Sequence, residues 1–398
     1  MGMHKDQRAC RRVDCHDRPI LSYGHMVRIA HVTDCYLPRT GGIETQVRAL
    51  ARHQAASGHE VSIITATPGV KRSGTEIVDG LAVTRITAKI PGDLPIHPRT
   101  RHHVAAALQE NPVDVVHVHV GVISPFAWGA IRAAYQLKIP TVVTVHGIWG
   151  PLASPGYRLS ELIAKWATWG ITISAVSQVA AKTIERAVPT LGEVLVLPNG
   201  IDVQDWQLPV RQHDSSTLNL VTVMRLAPRK RTLPLLKIVK AAQERAGITM
   251  RIHLRLVGDG PERSRAESFV HQHGLKNLVS FTGRLDHAGI REIFAMSDVY
   301  VQPSVKESFG IAALEARAAG LPVIARSQTG TTQFIRDHQE GLLAQTDSGM
   351  ASAIASLAAD RALLAQLGEY NRSTAPEQSW PMVLARVDEA YARARHLD

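Results

Sequence analysis

From residue 26 onward, short apolar runs rich in β-branched side chains alternate with amphipathic stretches of helical period. In the first half of the chain the apolar runs lie at 27–33, 61–65, 81–86, 113–118, 141–145, 171–176 and 193–197. Helical stretches are predicted at 44–57, which Gly58 ends, and at 98–110. Strands that alternate with helices pair in parallel through right-handed crossovers, so the pattern predicts an α/β fold.

A second series of the same kind begins after a pause in the pattern near residues 198–209. Its apolar runs lie at 218–223, 252–257, 279–282, 299–302, 322–325 and 341–344, with helical stretches that include 233–245, 262–273 and 288–296. We therefore predict two Rossmann-like, doubly wound parallel-sheet domains that face an interdomain cleft. Their predicted ranges are 26–205 and 206–375, with a linker near 200–215 and a C-terminal helical segment at 376–398. Ligands of such sheets bind at the carboxyl ends of the strands.

The segment that follows the run 299–302 carries candidate chemistry. A helix predicted at about 309–319 leaves backbone N–H groups free near Phe309, Gly310 and Ile311, and such groups bind anions such as a diphosphate. Glu307 precedes this helix and Glu315 lies more than one turn inside it. A carboxylate accepts hydrogen bonds from vicinal hydroxyls, which is how proteins hold a ribose or a hexose. The alternative is a solvated helix with two surface glutamates.

A basic turn follows the run 218–223. Arg225 and Lys230 place two cations after a strand, where they can clamp a diphosphate and stabilise it as a leaving group. The alternative is a solvated basic turn, and the neighbouring Arg229 and Arg231 leave open which cations point inward.

Taken in order, these segments resemble glycosyltransferase family 4, the retaining enzymes of the GT-B fold. The Glu-x7-Glu pattern of that family matches Glu307 and Glu315, and its Arg-x4-Lys pair matches Arg225 and Lys230. The segments Thr40-Gly41-Gly42-Ile43-Glu44, Pro198-Asn199-Gly200-Ile201-Asp202, Val257-Gly258-Asp259-Gly260-Pro261 and Phe281-Thr282-Gly283-Arg284 resemble further family segments in the expected order. The resemblance covers about residues 26–395.

For the C-terminal domain, the resemblance implies the binding of a nucleotide-sugar donor. Arg225 and Lys230 neutralise its diphosphate. Glu315 holds the ribose and Glu307 contacts the sugar. The segment from Ser308 through Phe309, Gly310 and Ile311 lies near the sugar and phosphate, and Gly283, Arg284 and Leu285 line the base pocket.

For the N-terminal domain, the resemblance implies that Gly41 and Gly42 approach the diphosphate and the acceptor. His146 stands beside the donor sugar, although a histidine at a strand end is often structural. A helix that begins near Trp380 crosses back to this domain, and transfer proceeds by front-face attack with retention. Because Arg225 and Lys230 supply positive charge and no Asp-x-Asp segment suits a metal-bound diphosphate, we predict no metal and no cofactor.

Composition narrows the partners. The formal net charge is +10, which favours anionic partners, but aromatic residues make up only 5% and show no interleaving with basic ones, so nucleic acid is not predicted. The basic run 97–103 is interpreted either as a solvated helix start or as a contact with anionic lipid. No apolar run has the length of a membrane span. We expect a cytoplasmic enzyme, with a peripheral contact at the inner face of the membrane as an option.

The first 25 residues are polar and lack the apolar core of a signal peptide, so we predict a disordered extension. The three cysteines, Cys10, Cys15 and Cys35, indicate neither a disulfide framework nor, with His16, a zinc site.

Two rival functions stay open at this stage, a sugar-nucleotide epimerase of the same fold and a membrane-associated binding protein. The donor base, the sugar and the acceptor are also open, and the acceptor, either lipid-linked or a glycan, depends on loops such as 91–101 and 147–157.

Overall fold

The computed structural model describes residues 26–70, 72–89, 94–151, 153–209, 216–247 and 250–396. The predicted extension at 1–25, with Cys10, Cys15 and His16, lies outside this part of the chain. The strands of the first sheet are β1 (Arg28–Thr33), β2 (Glu60–Thr65), β3 (Gly74–Val78), β4 (Leu81–Arg85), β5 (Val115–Val120), β6 (Thr141–Val145), β7 (Thr172–Ala175) and β8 (Leu195–Val196). Their order across the sheet is β3-β4-β2-β1-β5-β6-β7-β8.

The central strands of this sheet are buried on both faces, because helices cover them from both sides. Five helices belong to this half: α1 (Gly42–Ala56), α2 (Thr100–Glu110), α3 (Pro125–Gln136), α4 (Ser154–Ala164) and α5 (Gln178–Ala187). All six residues of β5 are buried, and β5 pairs in parallel with β1, with Ile29 opposite Val115. Continuous apolar runs are typical of such two-sided burial, which explains why the sequence predicts these strands.

Two elements of the first half differ from the prediction. The edge strand β3 pairs antiparallel with β4 and is largely exposed, so its residues Thr75 and Glu76 give no apolar run to detect. Helix α4 begins inside the segment 147–157 that was expected to be a loop, and it contains no buried residue. Its apolar residues Leu159, Leu162 and Ile163 have helical spacing but are exposed, so this helix adds nothing to the buried pattern from which the other helices are predicted.

The second sheet repeats the design of the first. It consists of β9 (Thr217–Val223), β10 (Arg251–Val257), β11 (Val279–Gly283), β12 (Val299–Gln302), β13 (Val323–Arg326) and β14 (Gly341–Ala344), in the order β11-β10-β9-β12-β13-β14 and parallel throughout. The surrounding helices are α6 (Val203–Trp206), α7 (Thr232–Ala246), α8 (Arg263–Gln272), α9 (His287–Ala295), α10 (Ile311–Ala318), α11 (Asp347–Ala359) and α12 (Arg361–Ser373). Helix α6 lies within the predicted linker, and its buried Trp206 packs against Phe294 of the second unit.

The last helix, α13 (Trp380–Arg395), packs on the first sheet although it follows the second unit in sequence. Val383 and Val387 lie in one buried cluster with Ile29 and Val47 of the first unit. A parallel bridge joins Ser379 to Ile201. A Cβ built on Gly200 would lie only 2.6 Å from Cε3 of the Trp380 indole. The helix thus completes a hydrophobic core that the first unit cannot close alone.

We predict that Trp380→Ala lowers the free energy of unfolding by about 3–5 kcal/mol, because it empties a site that is 3% exposed between α13 and α1. Chemical denaturation measures this change. Met382→Ala on the same helix is the matched control, since Met382 is 50% exposed and its truncation removes little packing. Equal effects of the two substitutions would contradict the anchoring role of Trp380.

Candidate active site

The candidate site lies where the strand order of each sheet changes direction. In the first sheet that point is between β1 and β5, and in the second it is between β9 and β12. Loops that follow strands on either side of such a point form a ligand crevice. The loop after β9 carries Arg225 and Lys230, and the loop after β12 carries Glu307. The topology therefore brings together residues that lie far apart in the chain.

Lys230 and Glu307 form a direct ion pair. The Lys230 Nζ lies 2.6 Å from Oε2 of Glu307, and the Gln302 amide donates to the same oxygen at 2.8 Å. Tyr300 in turn donates its hydroxyl to Oε1 of Gln302 at 3.0 Å. Glu307 is buried, and in the described part of the chain all hydrogen bonds of its carboxylate fall on Oε2. The other oxygen, Oε1, is therefore left for a ligand hydroxyl.

The loop between Glu307 and α10 is held by a close backbone approach. The Gly330 N–H donates to the Glu307 carbonyl at 2.8 Å, and a side chain on Gly330 would collide with the Ser308 carbonyl. Gly330 was not among the predicted site residues, because nothing in its local sequence distinguishes it from an ordinary loop glycine.

Helix α10 begins at Ile311 and not at residue 309 as predicted. Gly310 has φ +95°, a left-handed conformation outside the helix, and a Cβ there would lie 3.0 Å from Oγ1 of Thr331. Backbone geometry and crowding thus require this glycine whether or not a phosphate approaches it. The Phe309 ring is buried against Phe334 and does not face the cleft. The first amides of α10 have no partner inside the helix and are available to an anion.

Glu315 projects from the second turn of α10. Burial raises its pKa to about 7, because the carboxylate loses water without gaining a compensating charge. Within the described residues it makes no hydrogen bond and no ion pair. Glu315 is half-buried, and a desolvated carboxylate without partners is costly unless a ligand supplies them, which makes Glu315 a candidate binding residue.

The structure distinguishes the cations that the sequence left open. Arg231 forms an ion pair with Asp347 at 2.7 Å, so it serves the interior of the second unit. Arg225 and Arg229 are exposed, and within the described residues neither has an ion-pair partner. Arg225, Arg229 and Lys230 thus remain the cations of this turn that suit an anionic ligand, and the choice of Arg225 over Arg229 stays a prediction of the resemblance.

The opposite wall belongs to the first unit. Gly41 and Gly42 follow β1 and are exposed at the start of α1, and a Cβ on Gly42 would lie 3.8 Å from Cδ1 of Ile311. The glycine loop therefore faces the start of α10. Ser177, whose hydroxyl caps α5, also donates to the Ser308 carbonyl at 2.5 Å, so the two units are in contact beside the site.

His146 follows β6 at the carboxyl end of the first sheet. Burial lowers its pKa to about 4, so the ring is neutral at physiological pH. Its Nε2 lies 3.1 Å from Nδ1 of His119, and further buried histidines continue from there. That group was missed as a unit, although histidines at alternate positions of the apolar strand Val-Val-His-Val-His-Val were a signal for it.

The predicted base-pocket segment lies further along the same edge of the second sheet. Gly283 ends the edge strand β11 with φ +76°, and its carbonyl accepts from the Gly258 N–H at 2.7 Å. Arg284 is exposed and Leu285 is half-buried against the cluster that contains α10. These positions follow β11, which lies two strands away from β9 and the Arg225 turn that follows it.

Comparisons with known proteins agree with this arrangement. The family model "Glycosyltransferase Family 4" matches residues 40–205, and the model "Glycosyl transferases group 1" matches residues 207–374. The GDP-mannose-dependent alpha-mannosyltransferase of Mycobacterium tuberculosis is 27% identical over 393 residues, which cover 93% of this chain and 97% of that protein. The phosphatidylinositol N-acetylglucosaminyltransferase gpi3 subunit of Schizosaccharomyces pombe is 24% identical over 340 residues, covering 83% and 72%.

Among solved structures, Anabaena HepE in complex with UDP and glucose superposes with a TM-score of 0.71 at 18% identity, covering 92% of this chain and 99% of that one. Sucrose-phosphate synthase from Thermosynechococcus elongatus gives 0.70 at 20% identity, covering 92% and 98%. At such identities the likeness concerns the fold.

Two facing Rossmann-like domains with a crevice of cations, carboxylates and helix amides define a GT-B transferase. The chain belongs to glycosyltransferase family 4, the group 1 glycosyltransferases, because the two family models together span both domains. It is therefore a glycosyltransferase, and the epimerase alternative is not supported. The roles of individual site residues stay predictions.

We predict that the stability of a Glu315→Gln variant relative to wild type increases with pH. The pKa of Glu315 is raised from 4.5 to about 7 in the folded protein, so folding favours the protonated form. Its contribution is fully present below the unfolded-state pKa and is lost as pH rises through the folded-state pKa. Urea denaturation across this range measures the difference, with the exposed Glu292→Gln as control. A difference independent of pH would contradict a raised pKa of Glu315.

Proposed function

We propose that the enzyme transfers a hexose-type sugar from a UDP- or GDP-sugar to an acceptor hydroxyl with retention of configuration. The observation that supports this best is the pairing of Lys230 with Glu307 shortly before the start of α10, which the exposed Gly41-Gly42 loop faces. It places a cation, a carboxylate and an open backbone surface in one crevice, the requirements for a diphosphate, a sugar and an approaching acceptor.

The donor diphosphate is proposed to lie between the Arg225 turn and the start of α10. Lys230 can leave Oε2 of Glu307 for a phosphate oxygen, since Gln302 still satisfies that carboxylate oxygen. Arg225 adds an uncommitted guanidinium, and the amides of α10 add dipoles aimed at the same charge. Positive charge that is already in place stabilises the leaving diphosphate without reorganisation during the reaction.

The two glutamates are proposed to divide the rest of the donor. Glu315 accepts the ribose hydroxyls, which supply the partners that its carboxylate lacks. Glu307 uses Oε1 to hold a hydroxyl of the sugar. The sugar is then positioned for attack from the face of the leaving phosphate, whose oxygen takes the proton of the acceptor hydroxyl.

The relatives support a nucleoside diphosphate sugar as donor, but they differ in whether its base is a purine or a pyrimidine. The mycobacterial relative is named for GDP-mannose, whereas the superposed Anabaena structure contains UDP and glucose. A thermal-shift screen of UDP-, GDP- and ADP-sugars identifies the donor, because a ligand of the folded state raises its apparent stability. Failure of all three classes to bind would overturn the proposal.

With the donor identified, we expect Glu315→Ala to weaken donor binding and Glu307→Gln to preserve it. Glu307→Gln frees Lys230 for phosphate but loses the oriented sugar, so turnover should fall by about 10²-fold. Calorimetry and a radiolabelled-transfer assay measure the two effects, with Glu292→Gln as control. Equal losses of donor affinity in both variants would refute the division of roles.

We also propose that no metal takes part, since Arg225 and Lys230 supply the charge that a cation would otherwise bring. Turnover should survive EDTA. Loss of turnover in EDTA that Mn²⁺ or Mg²⁺ restores would overturn this.

We propose that the acceptor is lipid-linked. We also propose that the enzyme contacts an anionic membrane surface, such as the inner face of the cell membrane. Helix α4 follows closely after His146, and its Leu159, Leu162 and Ile163 are 57%, 76% and 76% exposed. Spaced at i, i+3 and i+4, they share one face, and the exposed Arg158 and Lys165 flank them. A basic amphipathic helix of this kind binds an anionic bilayer surface. Across the described residues, no helix is both long and apolar enough to traverse a bilayer.

Vesicle co-sedimentation tests this contact. We expect binding to vesicles that contain phosphatidylglycerol, weaker binding to pure phosphatidylcholine, and loss of binding in the double variant Leu162→Ser/Ile163→Ser. Ile77→Ser is the control, because Ile77 is 70% exposed on the distant edge strand β3. Binding that ignores anionic lipid, or that survives the double substitution, would remove the proposal.

A further inference from the structure

A row of imidazoles, three buried and the last half-buried, crosses the first sheet on the face that α1 and α13 cover. His31 lies on β1, His117 and His119 lie on β5, and His146 follows β6. His31 pairs in register with His117, and its ring centroid lies 5.3 Å from that of His117 and 5.2 Å from that of His119 on the neighbouring strand. The His117 and His119 rings, two residues apart on β5, stack with centroids 4.3 Å apart. Buried polar side chains in such apolar strands are costly unless their hydrogen bonds are complete.

Their hydrogen bonds form one continuous chain that starts at the active site. The contacts run from His146 Nε2 to His119 Nδ1 (3.1 Å), His119 Nε2 to His31 Nδ1 (2.9 Å), His31 Nε2 to Gln54 Oε1 (2.6 Å) and Gln54 Nε2 to Tyr391 Oη (3.0 Å). They continue from Tyr391 Oη to His117 Nδ1 (2.9 Å), His117 Nε2 to Thr144 Oγ1 (2.7 Å), Thr144 Oγ1 to Ser174 Oγ (2.8 Å) and Ser174 Oγ to the Val143 carbonyl (3.1 Å).

The far end of the chain fixes its direction. The Val143 carbonyl can only accept, so Ser174 spends its single proton there and must accept from Thr144. Thr144 has likewise spent its proton and accepts from Nε2–H of His117. A neutral imidazole has one N–H, so Nδ1 of His117 is an acceptor.

The same count of donors and acceptors gives the direction of every hydrogen bond back to the active site. Tyr391 donates its hydroxyl to His117 and therefore accepts from the Gln54 amide nitrogen. This orients the amide with its oxygen toward His31, which donates from Nε2 and accepts at Nδ1. His119 follows the same rule.

The rings are neutral at physiological pH. Burial lowers the pKa of His31 and of His146 to about 4. Burial also holds the pKa values of His117 and His119 well below the ordinary range, with a further contribution from neighbouring imidazoles. Each ring therefore carries one proton, as the counting requires.

We propose that Tyr391 and Gln54 are positioning residues that lock His146 as its Nε2–H tautomer, so that its Nδ1 is a fixed hydrogen-bond acceptor for a hydroxyl in the active site. Within the described residues, Nδ1 of His146 has no hydrogen-bond partner. The clause on the hydroxyl rests on the proposed function, whereas the tautomer follows from the chain of hydrogen bonds alone.

Two other roles for the histidines fit the contacts less well. His31, His117 and His119 offer ring nitrogens within 4.8 Å of one another, as a metal site would. All six of these nitrogens are already paired, and donors balance acceptors without an ion. A proton relay is also disfavoured, because the chain ends at a carbonyl that cannot take up a proton.

The lock depends on the docking of α13, which supplies Tyr391. Its ring meets His117 edge-on at 5.5 Å, and its hydroxyl joins the two halves of the chain. Without this hydroxyl the Gln54 amide is free to turn over and donate to His31. The three rings from His31 to His146 then lose their enforced direction.

The test is nitrogen-15 NMR of histidine-labelled, ligand-free protein at neutral pH, which reports the protonated nitrogen of each ring. His146→Gln assigns the His146 signal. We expect pure Nε2–H in wild type and a mixture of tautomers in Tyr391→Phe. Tyr36→Phe is the matched control, since it removes a buried hydroxyl of the same core cluster that has no hydrogen-bond partner among the described residues. It should leave the His146 signal unchanged.

A second pair of variants covers the case in which Tyr391→Phe does not fold. Ser174→Ala removes the terminal donor, and Thr172→Val on the same strand removes a hydroxyl that has no partner in the part of the chain that the structure describes. Only Ser174→Ala should give a mixture of His146 tautomers. An Nδ1–H form in wild type, an unchanged His146 signal in the folded chain-breaking variant, or stoichiometric metal by elemental analysis would overturn the lock.

The functional readout is separate. Tyr391→Phe should weaken binding of UDP-glucose or GDP-mannose about three- to tenfold, the contribution of one hydrogen bond, and leave UDP or GDP binding unchanged. If neither sugar nucleotide binds wild type, the proposed function fails while the NMR result still decides the tautomer. If the tautomer changes but sugar binding does not, the acceptor role of Nδ1 is refuted.

Discussion

The docking of α13 on the first sheet is the interaction on which the rest of the structure depends. Trp380 and the valines of this helix close a core that α1 alone leaves open, and Tyr391 completes the buried polar chain above the same sheet. Apolar burial and hydrogen-bond satisfaction thus rely on one helix that arrives from beyond the second domain. Because the Ile201–Ser379 bridge fixes where this helix enters, the first domain and the end of the chain must assemble together.

In the ligand-free cleft, several charged side chains are neutralised by ion pairs within the protein. Lys230 neutralises Glu307, and Arg231 is committed to Asp347. Arg225 and Glu315 are left without ion pairs in the described residues, on either side of the space assigned to the donor. Binding then exchanges one internal contact for several external ones, so that the crevice is preorganised for its ligand and not assembled by it.

Much of the fold could be predicted from sequence because its strands are short, apolar and buried on both faces. The exceptions have physical causes: β3 is a polar edge strand, α4 buries nothing, and α10 starts late because Gly310 adopts φ +95°. For the site, the pattern around Glu307 and Glu315 could be recognised locally. Gln302 and Gly330 could not, since their roles arise from contacts between residues that are distant in sequence. The alternating histidines of β5 were a local signal, but their connection to Gln54, Tyr391 and His146 arises only in the fold.

Helix α4 has a consequence for how the enzyme can change over evolutionary time. Because it contributes no fully buried residue, most substitutions along it cost the fold little, in contrast to those in α1 or α13. Tyr157 is the exception, since it stacks on Trp149 and donates to the Val122 carbonyl. Its surface is therefore free to drift, or to be replaced, while the crevice for the donor stays intact. On the proposed role of α4 beside the acceptor, a lineage with this architecture can acquire new acceptors by altering one exposed helix and retain the same chemistry beneath it.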